Sequence, residues 1–255
     1  ILLRAQGIPV PDTLASYSNF SNMRTLPADL VPHNEFVIKP NAGSQGRGIL
    51  IIRGRDGDDF VGSGGNSISQ LQIRDQIAEI INGNYSQLGD SDTAYLEPLI
   101  HQRSVLNQVA PYGLCDIRVL ISEGNIISAM LRIPTQSSGG KANLHQGALG
   151  AAINLQTGLI TRCVRKGVEM SEHPDNQQSI VGLQLPYWQE ILDMSHACSR
   201  AIPLGYMGVD ICLDKTVGPL VLEVNGRPGL EIQNVNNQGL QDLLLAPTKT
   251  APQSA

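Results

Sequence analysis

Short apolar runs rich in β-branched residues come in pairs along this chain, separated by only a few turn-forming residues. Such pairs are typical of antiparallel strands, because a parallel pair needs a crossover connection of a dozen residues or more. The runs occupy 35–39 and 48–53, 94–100, 115–121 and 126–133, 149–155 and 159–164, and 207–213 and 219–224. Two longer segments space their apolar residues as amphipathic helices do. The pattern therefore predicts an α+β fold rather than a doubly wound parallel sheet.

The two predicted helices, Ser67–Asn82 and Pro186–Ile202, have recognisable end signals. Gly83 is expected to end the first, because glycine readily adopts the left-handed conformation at a helix C-terminus. Pro186 is expected to begin the second, where its missing N–H has no helical partner to lose. The residues of the first helix that recur at helical spacing and should face the core are Ile68, Leu71, Ile77, Ile80 and Ile81.

The composition argues against several classes of protein. Eighteen lysines and arginines against 23 acidic residues give a net charge of −5, which disfavours a general binder of nucleic acids or anionic membranes. Aromatic residues make up 4%, too few for platforms that stack single-stranded bases. No apolar run approaches the roughly 20 residues of a membrane-spanning helix. The four cysteines never form a CxxC pair, so we expect buried thiols and a cytoplasmic protein.

A glycine-rich loop, residues 41–48, separates the first two strands. Gly43, Gly46 and Gly48 allow backbone N–H groups to approach phosphate oxygens closely, because no Cβ intervenes. The spacing is neither that of a P-loop nor that of a dinucleotide-binding fold, so a flexible hairpin loop is the alternative. Lys39 favours phosphate binding, since a lysine at the end of an apolar strand needs an anionic partner.

The last hairpin, residues 207–224, and the residue that follows it carry polar groups beside apolar ones. With the turn centred between its strands, Asp210 lies opposite Glu223, and strand alternation places Asn225 on the same face. Two opposed carboxylates repel each other, so the pattern predicts a cation between them. Carboxylate and amide oxygens suit Mg²⁺, while a solvated polar face and a shifted register remain the alternatives.

Five segments resemble, in their order along the chain, the motifs of ATP-grasp ligases. They are VIKPNAGSQGRGI, YLEPLI, DIRVLI, KANLHQGA, and GVDI followed by GPLVLEVNGRPGLE. Over roughly residues 35–240 the chain is most similar to the α-L-glutamate ligases that modify ribosomal protein and to their uncharacterised ligase-related relatives. The resemblance implies the ATP-grasp fold, in which two α+β lobes with antiparallel sheets hold ATP between them.

The resemblance also implies a division of the chain. We expect residues 1–34 to lead into the fold as the end of a truncated N-terminal part. Residues 35–97 should form a small lobe with the glycine loop, and residues 98–246 a large lobe with the metal and substrate sites. Residues 247–255 are expected to be a loose tail.

Residues that match the ATP-grasp motifs take their expected roles from the resemblance. Those expected to bind ATP are Lys39, Gly43, Ser44, Gly46, Gly48, Glu97, Leu99 and Arg118, with the glycine loop acting as a lid. In the segment 97–100, which matches the adenine hinge, Leu99 is the expected backbone contact because Pro98 lacks an N–H. The expected Mg²⁺ ligands are Asp210, Glu223 and Asn225, and the residues expected near the acyl-phosphate are Arg132, Lys141 and Asn143.

Several of these residues also have a plainer interpretation. Arg118 shares a strand face with Asp116 and could simply form an ion pair with it. Arg132 lies in an apolar strand, where an unpaired guanidinium is costly and an anionic partner is favoured. Lys141 and Asn143 follow a glycine-containing loop that could be an ordinary surface loop.

Two further residues and one departure from the family pattern bear on the site. His145 could be a general base for an incoming amine, although a structural histidine is the commoner case. Arg227 either shapes the turn after the metal ligands or binds a substrate carboxylate. No lysine precedes Lys39, whereas ATP-grasp ligases use a second phosphate-binding lysine upstream. Where those ligases have a pair of glycines after the NLH segment, this chain reads Gln146-Gly147-Ala148.

The expected reaction is ATP-dependent amide formation. A substrate carboxylate attacks the γ-phosphate to give an acyl-phosphate and ADP, and an amine then displaces phosphate. The expected partners are a carboxylate and an amine from an amino acid, peptide or protein, with glutamate as a candidate. Nucleic acid and membrane are not expected partners, and the oligomeric state is open. Two other classes also remain open: a nucleotide-binding module without ligase activity, which the missing lysine favours, and a phosphotransferase.

Overall fold

The computed structural model describes residues 2–43, 46–86 and 88–245. Within these ranges the chain forms two α+β units, each built on its own antiparallel sheet. The six-stranded unit is Pro11–Ile100, and the seven-stranded unit combines residues 2–10 with residues 101–245. The predicted α+β class is confirmed.

The six-stranded sheet has the order β1-β6-β2-β3-β4-β5, and each neighbouring pair is antiparallel. Its strands are β1 (Ala15–Tyr17), β2 (Phe36–Pro40), β3 (Leu50–Asp56), β4 (Asp59–Gly62), β5 (Ser67–Ile68) and β6 (Ala94–Pro98). Helix α2 (Leu26–Leu30) precedes β2, and helix α3 (Gln70–Ile81) connects β5 to β6. Apolar side chains from the strands and from both helices form one core.

Helix α3 begins at its capping signal rather than where the helical spacing first appears. The Gln72 N–H donates to Ser69 Oγ at 3.3 Å, and the Ser69 N–H donates to Gln72 Oε1 at 2.8 Å. This reciprocal capping box fixes the first turn. The prediction that Ile68 and Leu71 lie on the buried helix face is therefore wrong, because Ile68 belongs to β5 and Leu71 is 60% exposed. Ile73 is buried instead.

The seven-stranded sheet has the order β11-β10-β9-β8-β7-β12-β13 and is also antiparallel throughout. Its strands are β7 (Asp116–Ser122), β8 (Asn125–Ile133), β9 (Leu149–Ile153), β10 (Ile160–Arg165), β11 (Val168–Met170), β12 (Tyr206–Asp214) and β13 (Gly218–Asn225). The accompanying helices are α1 (Leu2–Ala5), α4 (Ser104–Val109), α5 (Trp188–Ala201), α6 (Glu231–Asn236) and α7 (Leu240–Leu245). The three predicted hairpins are present.

The two faces of this sheet are covered differently. Helix α5 packs on one face through buried residues such as Ile191 and Cys198. Its N-cap is Tyr187, with a φ of 59°, so Pro186 precedes the cap instead of opening the helix as predicted. Helix α6 covers part of the opposite face through Ile232 and Val235. The remainder of that opposite face carries the polar residues of the candidate site.

A β-bulge in β13 determines which side chains share a face of the last hairpin. Asp210 pairs with Glu223, as predicted, but Ile211 pairs with Val221. Leu222 is therefore the extra residue between two matched pairs. The bulge resets the alternation of β13, so that Glu223 shares the polar face with Asp210 while Val221 lies on the apolar face with Ile211.

The observed units differ from the expected boundaries at the N-terminus. Residues 11–34 contribute β1 and α2 to the six-stranded unit because Tyr17 and Leu30 are apolar residues that its core buries. Residues 2–10 belong to the seven-stranded unit, where the Val221 N–H donates to the Pro9 carbonyl at 2.9 Å. The expected tail, 247–255, lies outside the described residues.

Two expectations from composition concern cysteine and membrane. All four cysteines lie in the described part of the chain, where they are buried, as predicted, and form no disulfide. Burial raises the pKa of the Cys163 thiol to about 12 and that of Cys198 to about 11, so both are protonated at neutral pH. No helix within the described ranges has the length and apolar character needed to cross a membrane.

Candidate active site

The polar part of the seven-stranded sheet brings four charged side chains together. Strands β7 and β8 place Asp116 opposite Arg132, and strands β7 and β12 place Arg118 opposite Asp210. Strand alternation puts all four on the face that α5 does not cover. Three of them are buried and Arg132 is half-buried, so each needs a partner of opposite charge.

Asp210 accepts three hydrogen bonds from two guanidinium groups. Arg118 donates from Nε to Oδ1 at 2.8 Å and from Nη2 to Oδ2 at 2.7 Å, and Arg132 donates from Nη2 to Oδ2 at 2.6 Å. Arg132 also donates from Nε to Asp116 Oδ1. We call these four residues the Asp–Arg cluster.

The sequence left open an ion pair between Asp116 and Arg118. In the structure, these two residues pair with other members of the Asp–Arg cluster. Residues directly opposite on neighbouring strands have Cβ atoms about 5 Å apart, whereas residues two apart on one strand are separated by about 6.7 Å. Each arginine therefore pairs across strands, Arg132 with Asp116 and Arg118 with Asp210. The anionic partner predicted for Arg132 is present, and it comes from the protein itself.

The pKa values of the two carboxyls move in opposite directions. Burial raises the pKa of Asp116 to about 6; Arg132 opposes this rise and the charge of Asp210 adds to it. Burial also acts to raise the pKa of Asp210, but Arg132 and Arg118 outweigh it and hold that pKa below its ordinary value. The cluster therefore keeps Asp210 ionised while Asp116 titrates in the mildly acidic range.

Both arginines keep one nitrogen for another partner. Within the described residues, both guanidinium groups donate through Nε and Nη2, and the Nη1 atoms of Arg118 and Arg132 make no hydrogen bond. A guanidinium presents five N–H donors in a fixed fork and accepts nothing. A ligand with several oxygen acceptors, such as a phosphate or a carboxylate, is the chemical match for these donors.

The predicted Mg²⁺ ligands lie on paired strands, and their oxygens fit such an ion. A carboxylate offers about four lone-pair sites, so Asp210, which accepts three hydrogen bonds, keeps one on Oδ1. Asn225 Oδ1 accepts the Arg227 N–H at 2.8 Å and keeps its second lone pair. Glu223 is exposed on the same face. Asp210 and Asn225 can therefore each offer one oxygen to a hard divalent cation, and Glu223 places a carboxylate on the same face.

Two further observations limit this candidate metal site. Within the described ranges no group of three or more histidine, cysteine, aspartate or glutamate side chains could hold a metal ion. A magnesium site on β12 and β13 would therefore have to include the amide of Asn225. The bond from Arg227 to Asn225 also supports the plainer prediction for Arg227, because it closes the turn that follows β13.

In the six-stranded unit, Lys39 has an anionic partner within the protein. Its Nζ lies 2.6 Å from Glu97 Oε2, between the neighbouring strands β2 and β6. The sequence predicted an anion beside Lys39 and assigned Glu97 separately to the adenine hinge, so the pairing of the two was missed. Leu99, the predicted backbone contact, directly follows β6 and is half-buried.

The exit of the glycine loop is fixed by residues that sequence reasoning missed. Gly48 has a φ of +78°, and a Cβ there would lie 2.6 Å from Cγ of Tyr85, so only glycine fits this close approach. Gln76 in α3 donates from Nε2 to the Gly48 carbonyl at 2.8 Å. Gly46 also lies in the described part of the loop, whereas the predicted ATP ligand Ser44 lies outside it.

The entrance of the same loop is fixed by a buried carboxylate. Asp92 accepts the Ala42 N–H at 2.9 Å through Oδ2 and the Thr93 N–H at 2.7 Å through Oδ1. Gly43 packs directly on Pro40 at the end of β2. An aspartate just before a strand, such as Asp92, gave no sequence signal for this role, because the contact spans 50 residues.

Lys141, Asn143 and His145 lie on one loop of the seven-stranded unit. Asn143 Oδ1 accepts the His145 N–H at 3.0 Å, so this side chain caps a short 3-10 helix, Leu144–Gln146. Lys141 and His145 are exposed, and Lys141 forms no ion pair within the residues that the structure describes. A second 3-10 helix, Gln136–Ser138, lies just before Lys141.

The two antiparallel units, the lysine-bearing strand that leads into a glycine loop, and the opposed Asp210 and Glu223 together define an ATP-grasp protein. Residues 1–249 match the family described as sugar-transfer associated ATP-grasp, and the chain belongs to that family. The superfamily predicted from the motifs is thus confirmed, while the narrower resemblance to α-L-glutamate ligases stays a prediction. No curated protein matches the chain.

The chain is similar to several solved structures, and two of them, with TM-scores above 0.5, support the fold. The biotin carboxylase of Campylobacter jejuni, in a βγ-ATP complex, matches 92% of this chain at 14% identity, with a TM-score of 0.54 and 40% of its own length covered. The D-alanine–D-alanine ligase of Coxiella burnetii matches 95% of this chain at 14% identity, with a TM-score of 0.51 and 52% of its own length covered. The ATP-grasp ligase PsnB, solved with precursor peptide PsnA2 and AMPPNP, matches 96% at 16% identity, with a TM-score of 0.46. This chain spans 56% of PsnB.

Proposed function

We propose that this chain is an ATP-dependent carboxylate–amine ligase that forms an amide through an acyl-phosphate. The observation that carries the proposal is the arrangement on β12 and β13, where Asp210 lies opposite Glu223 and is held by two arginines with unused Nη1 donors. Family membership and the ATP-grasp fold support nucleotide binding. Phosphoryl transfer depends mainly on positioning and charge neutralisation, which such groups supply.

The proposed reaction has two steps. A carboxylate oxygen of the substrate attacks the γ-phosphorus, the bond from that phosphorus to the bridging oxygen breaks, and ADP leaves. An amine nitrogen then attacks the acyl carbon, the bond from carbon to the phosphate oxygen breaks, and the amine loses a proton as phosphate leaves. Both steps concentrate negative charge on phosphate oxygens, so cationic donors held in place lower the barrier.

The chain's own residues have distinct proposed roles in these steps. Arg118 and Arg132 would donate from Nη1 to phosphoryl oxygens, and the carboxylates around them hold both guanidinium groups in a fixed direction. Lys39 would exchange Glu97 for a phosphate of ATP. Asp210, Glu223 and Asn225 would hold Mg²⁺, which supplies charge neutralisation at the β- and γ-phosphates when bound.

The remaining predicted residues have less local support. The glycines of the loop, together with Ser44, would donate backbone N–H groups to phosphate, and Leu99 would contact adenine. Lys141 and Asn143 would lie near the acyl-phosphate. A glutamate-type substrate rests on the family resemblance alone. The buried cysteine thiols support a reducing compartment and hence a cytoplasmic protein.

A nucleotide-binding module without ligase activity is the second candidate. It is favoured by the same cluster, because the two arginines already use three of the lone pairs of Asp210. In that case the arginines take the place of a metal ion as the counter-charge, and no acyl-phosphate forms.

The test is release of ADP and phosphate from Mg²⁺·ATP with the twenty proteinogenic amino acids and a panel of dipeptides as substrates. A ligase releases phosphate only when both a carboxylate and an amine are present, whereas a phosphotransferase releases ADP without phosphate. Glu223→Gln should lower ADP release roughly 100-fold. The matched control is Glu169→Gln, on the opposite edge strand β11, which should stay within twofold. Absence of ADP release with every substrate, or unchanged release in Glu223→Gln, contradicts the proposal.

A further inference from the structure

A loop with a fixed base and an exposed polar tip connects β8 to β9. Residues 134–147 contain Lys141 and His145 at the tip, both exposed, and no acidic residue. Lys141 therefore gives the tip a positive charge that no acidic residue of the loop offsets, which suits an anionic ligand. The base of the loop makes a set of hydrogen bonds that the reaction proposed above does not use.

Internal bonds close the base of the loop. Thr135 is fully buried, and its Oγ1 donates to the Gly147 carbonyl at 3.0 Å, which ties the first residues of the loop to the last. The Ser138 N–H donates to Thr135 Oγ1 at 3.1 Å, and the Thr135 N–H donates to Ser138 Oγ at 3.0 Å. Arg165, at the end of β10, donates from Nε to the same Gly147 carbonyl at 3.1 Å.

External bonds come from the turn that follows β11. His173 is 0% exposed, and its Nε2 lies 2.9 Å from the Pro134 carbonyl. The Asp175 N–H donates to His173 Nδ1 at 3.2 Å, so the network assigns the donating ring N–H to Nε2. Asp175 Oδ2 accepts the Gln136 N–H at 2.7 Å. His173 and Asp175 thus fix the loop base at two nearby points, the Pro134 carbonyl and the Gln136 N–H.

We propose that His173 and Asp175 are positioning residues that hold Lys141 for an anionic group of the substrate. The inference rests on the proposed function, since it assumes a substrate beside this loop. A loop fixed before binding loses less conformational entropy when it binds, so its affinity for the anion is higher. Because Asp175 acts on the backbone of Gln136, its effect reaches the substrate only through the position of the loop tip.

Two anions could meet Lys141, a substrate carboxylate or a phosphate of ATP, and the geometry favours the carboxylate. Within the described ranges, no hydrogen bond or ion pair joins the loop to the Asp–Arg cluster, whereas the Nη1 donors of that cluster already match a phosphate. A carboxylate bound by Lys141 would change the KM of the substrate, and a phosphate bound there would change the KM of ATP.

The experiment compares Asp175→Ala, Asp175→Asn, Lys141→Ala and the Asp175→Ala/Lys141→Ala double variant. The probe is the panel amino acid that gives the highest ADP release. Asp175→Ala should raise the KM of that amino acid about tenfold and leave the KM of ATP within twofold. Asp175→Asn should restore the KM, because its Oδ1 can still accept the Gln136 N–H. In the Lys141→Ala background, Asp175→Ala should add no further change.

The matched control is Asn176→Ala, because Asn176 lies in the same turn and donates to the Gln108 carbonyl rather than to the loop. It should leave both KM values within twofold. Hydrogen exchange provides a readout that does not depend on activity: amides 136–147 should exchange faster in Asp175→Ala, and those of β8 should not.

The outcomes separate the two proposals. No ADP release from the unmodified chain contradicts the proposed function and removes the substrate on which this inference rests. Normal ADP release with an unchanged amino-acid KM in Asp175→Ala overturns the positioning role alone. A rise in the KM of ATP instead overturns the assignment of Lys141 to the carboxylate, and unchanged exchange at 136–147 overturns the anchoring itself.

Discussion

Arg118 donates two parallel hydrogen bonds to Asp210, from Nε to Oδ1 at 2.8 Å and from Nη2 to Oδ2 at 2.7 Å. Both side chains are nearly inaccessible to solvent, at 10% and 4% exposure. A bidentate pair of this kind fixes direction as well as distance, so each group determines where the other points. The carboxylate expected to bind a metal and the guanidinium expected to bind a phosphate therefore cannot move independently of each other.

Removing the guanidinium should destabilise the seven-stranded unit. Arg118→Ala leaves a buried carboxylate with a single cationic partner, and the loss of one partner from a buried pair costs about 3 kcal/mol or more. Urea unfolding followed by the fluorescence of Trp188, the one tryptophan of the chain, reports on this unit. Glu169→Gln breaks a partly exposed pair with Arg162 and should change the free energy of unfolding by less than about 1 kcal/mol. Equal losses in both variants would contradict the prediction.

The pKa of Asp116 predicts an unusual dependence of stability on pH. The folded-state pKa is about 6 and the ordinary value is 3.8, so between these values the folded chain binds the proton that the unfolded chain has lost. The free energy of unfolding should therefore fall as pH rises from about 4 to about 6 through this group. Asp116→Asn should remove that contribution. The check is the difference in free energy of unfolding between the two proteins, measured at pH 4, 5, 6 and 7, and a difference that is constant with pH would refute it.

Tyr206 offers a test that involves no ligand. Its hydroxyl is buried and has no hydrogen-bond partner within the described residues, and such an atom costs about 1–3 kcal/mol. Tyr206→Phe should therefore leave the protein as stable as before or raise the free energy of unfolding by about 1 kcal/mol. Tyr17→Phe is the comparison, because the Tyr17 hydroxyl donates to the Asp29 carboxylate at 2.8 Å, and it should lower the free energy of unfolding by about 2 kcal/mol. Calorimetric melting of both variants is the measurement that checks this prediction. A Tyr206→Phe protein less stable than the unmodified chain would show that the Tyr206 hydroxyl has a stabilising partner.

Local patterns in the sequence were sufficient to predict the hairpins and the pairing of Asp210 with Glu223, but not the bulge at Leu222 that accompanies this pairing. Asp210 and Glu223 lie within one segment of 14 residues, so a short turn between two strands was enough to suggest that they face each other. The rest of the hairpin pairs in a register shifted by one residue, which the sequence did not reveal. Helix α3 was predicted from spacing, but its start was not, because the capping box of Ser69 and Gln72 outweighs the apolar residues before it.

Partners that come from distant parts of the chain could not be predicted in this way. Arg118 meets Asp210 only because β12 lies beside β7, and a pairing across 92 residues leaves no trace in either segment. The same holds for His173, whose contact with the Pro134 carbonyl spans 39 residues. Sequence reasoning identified the charged residues correctly as needing counter-charges, and the order of strands in the sheet decided which counter-charge each received.

The extra residue Leu222 shifts the alternation of side chains along β13 by one position. Before this residue, β13 pairs with β12 in one register, and after it the two strands pair in a register shifted by one residue. Deletion of this single residue would leave a hairpin of ordinary length and hydrophobicity, yet Glu223 and Asn225 would then face α5. Length changes at this spot are therefore expected to be far less tolerated than changes of identity.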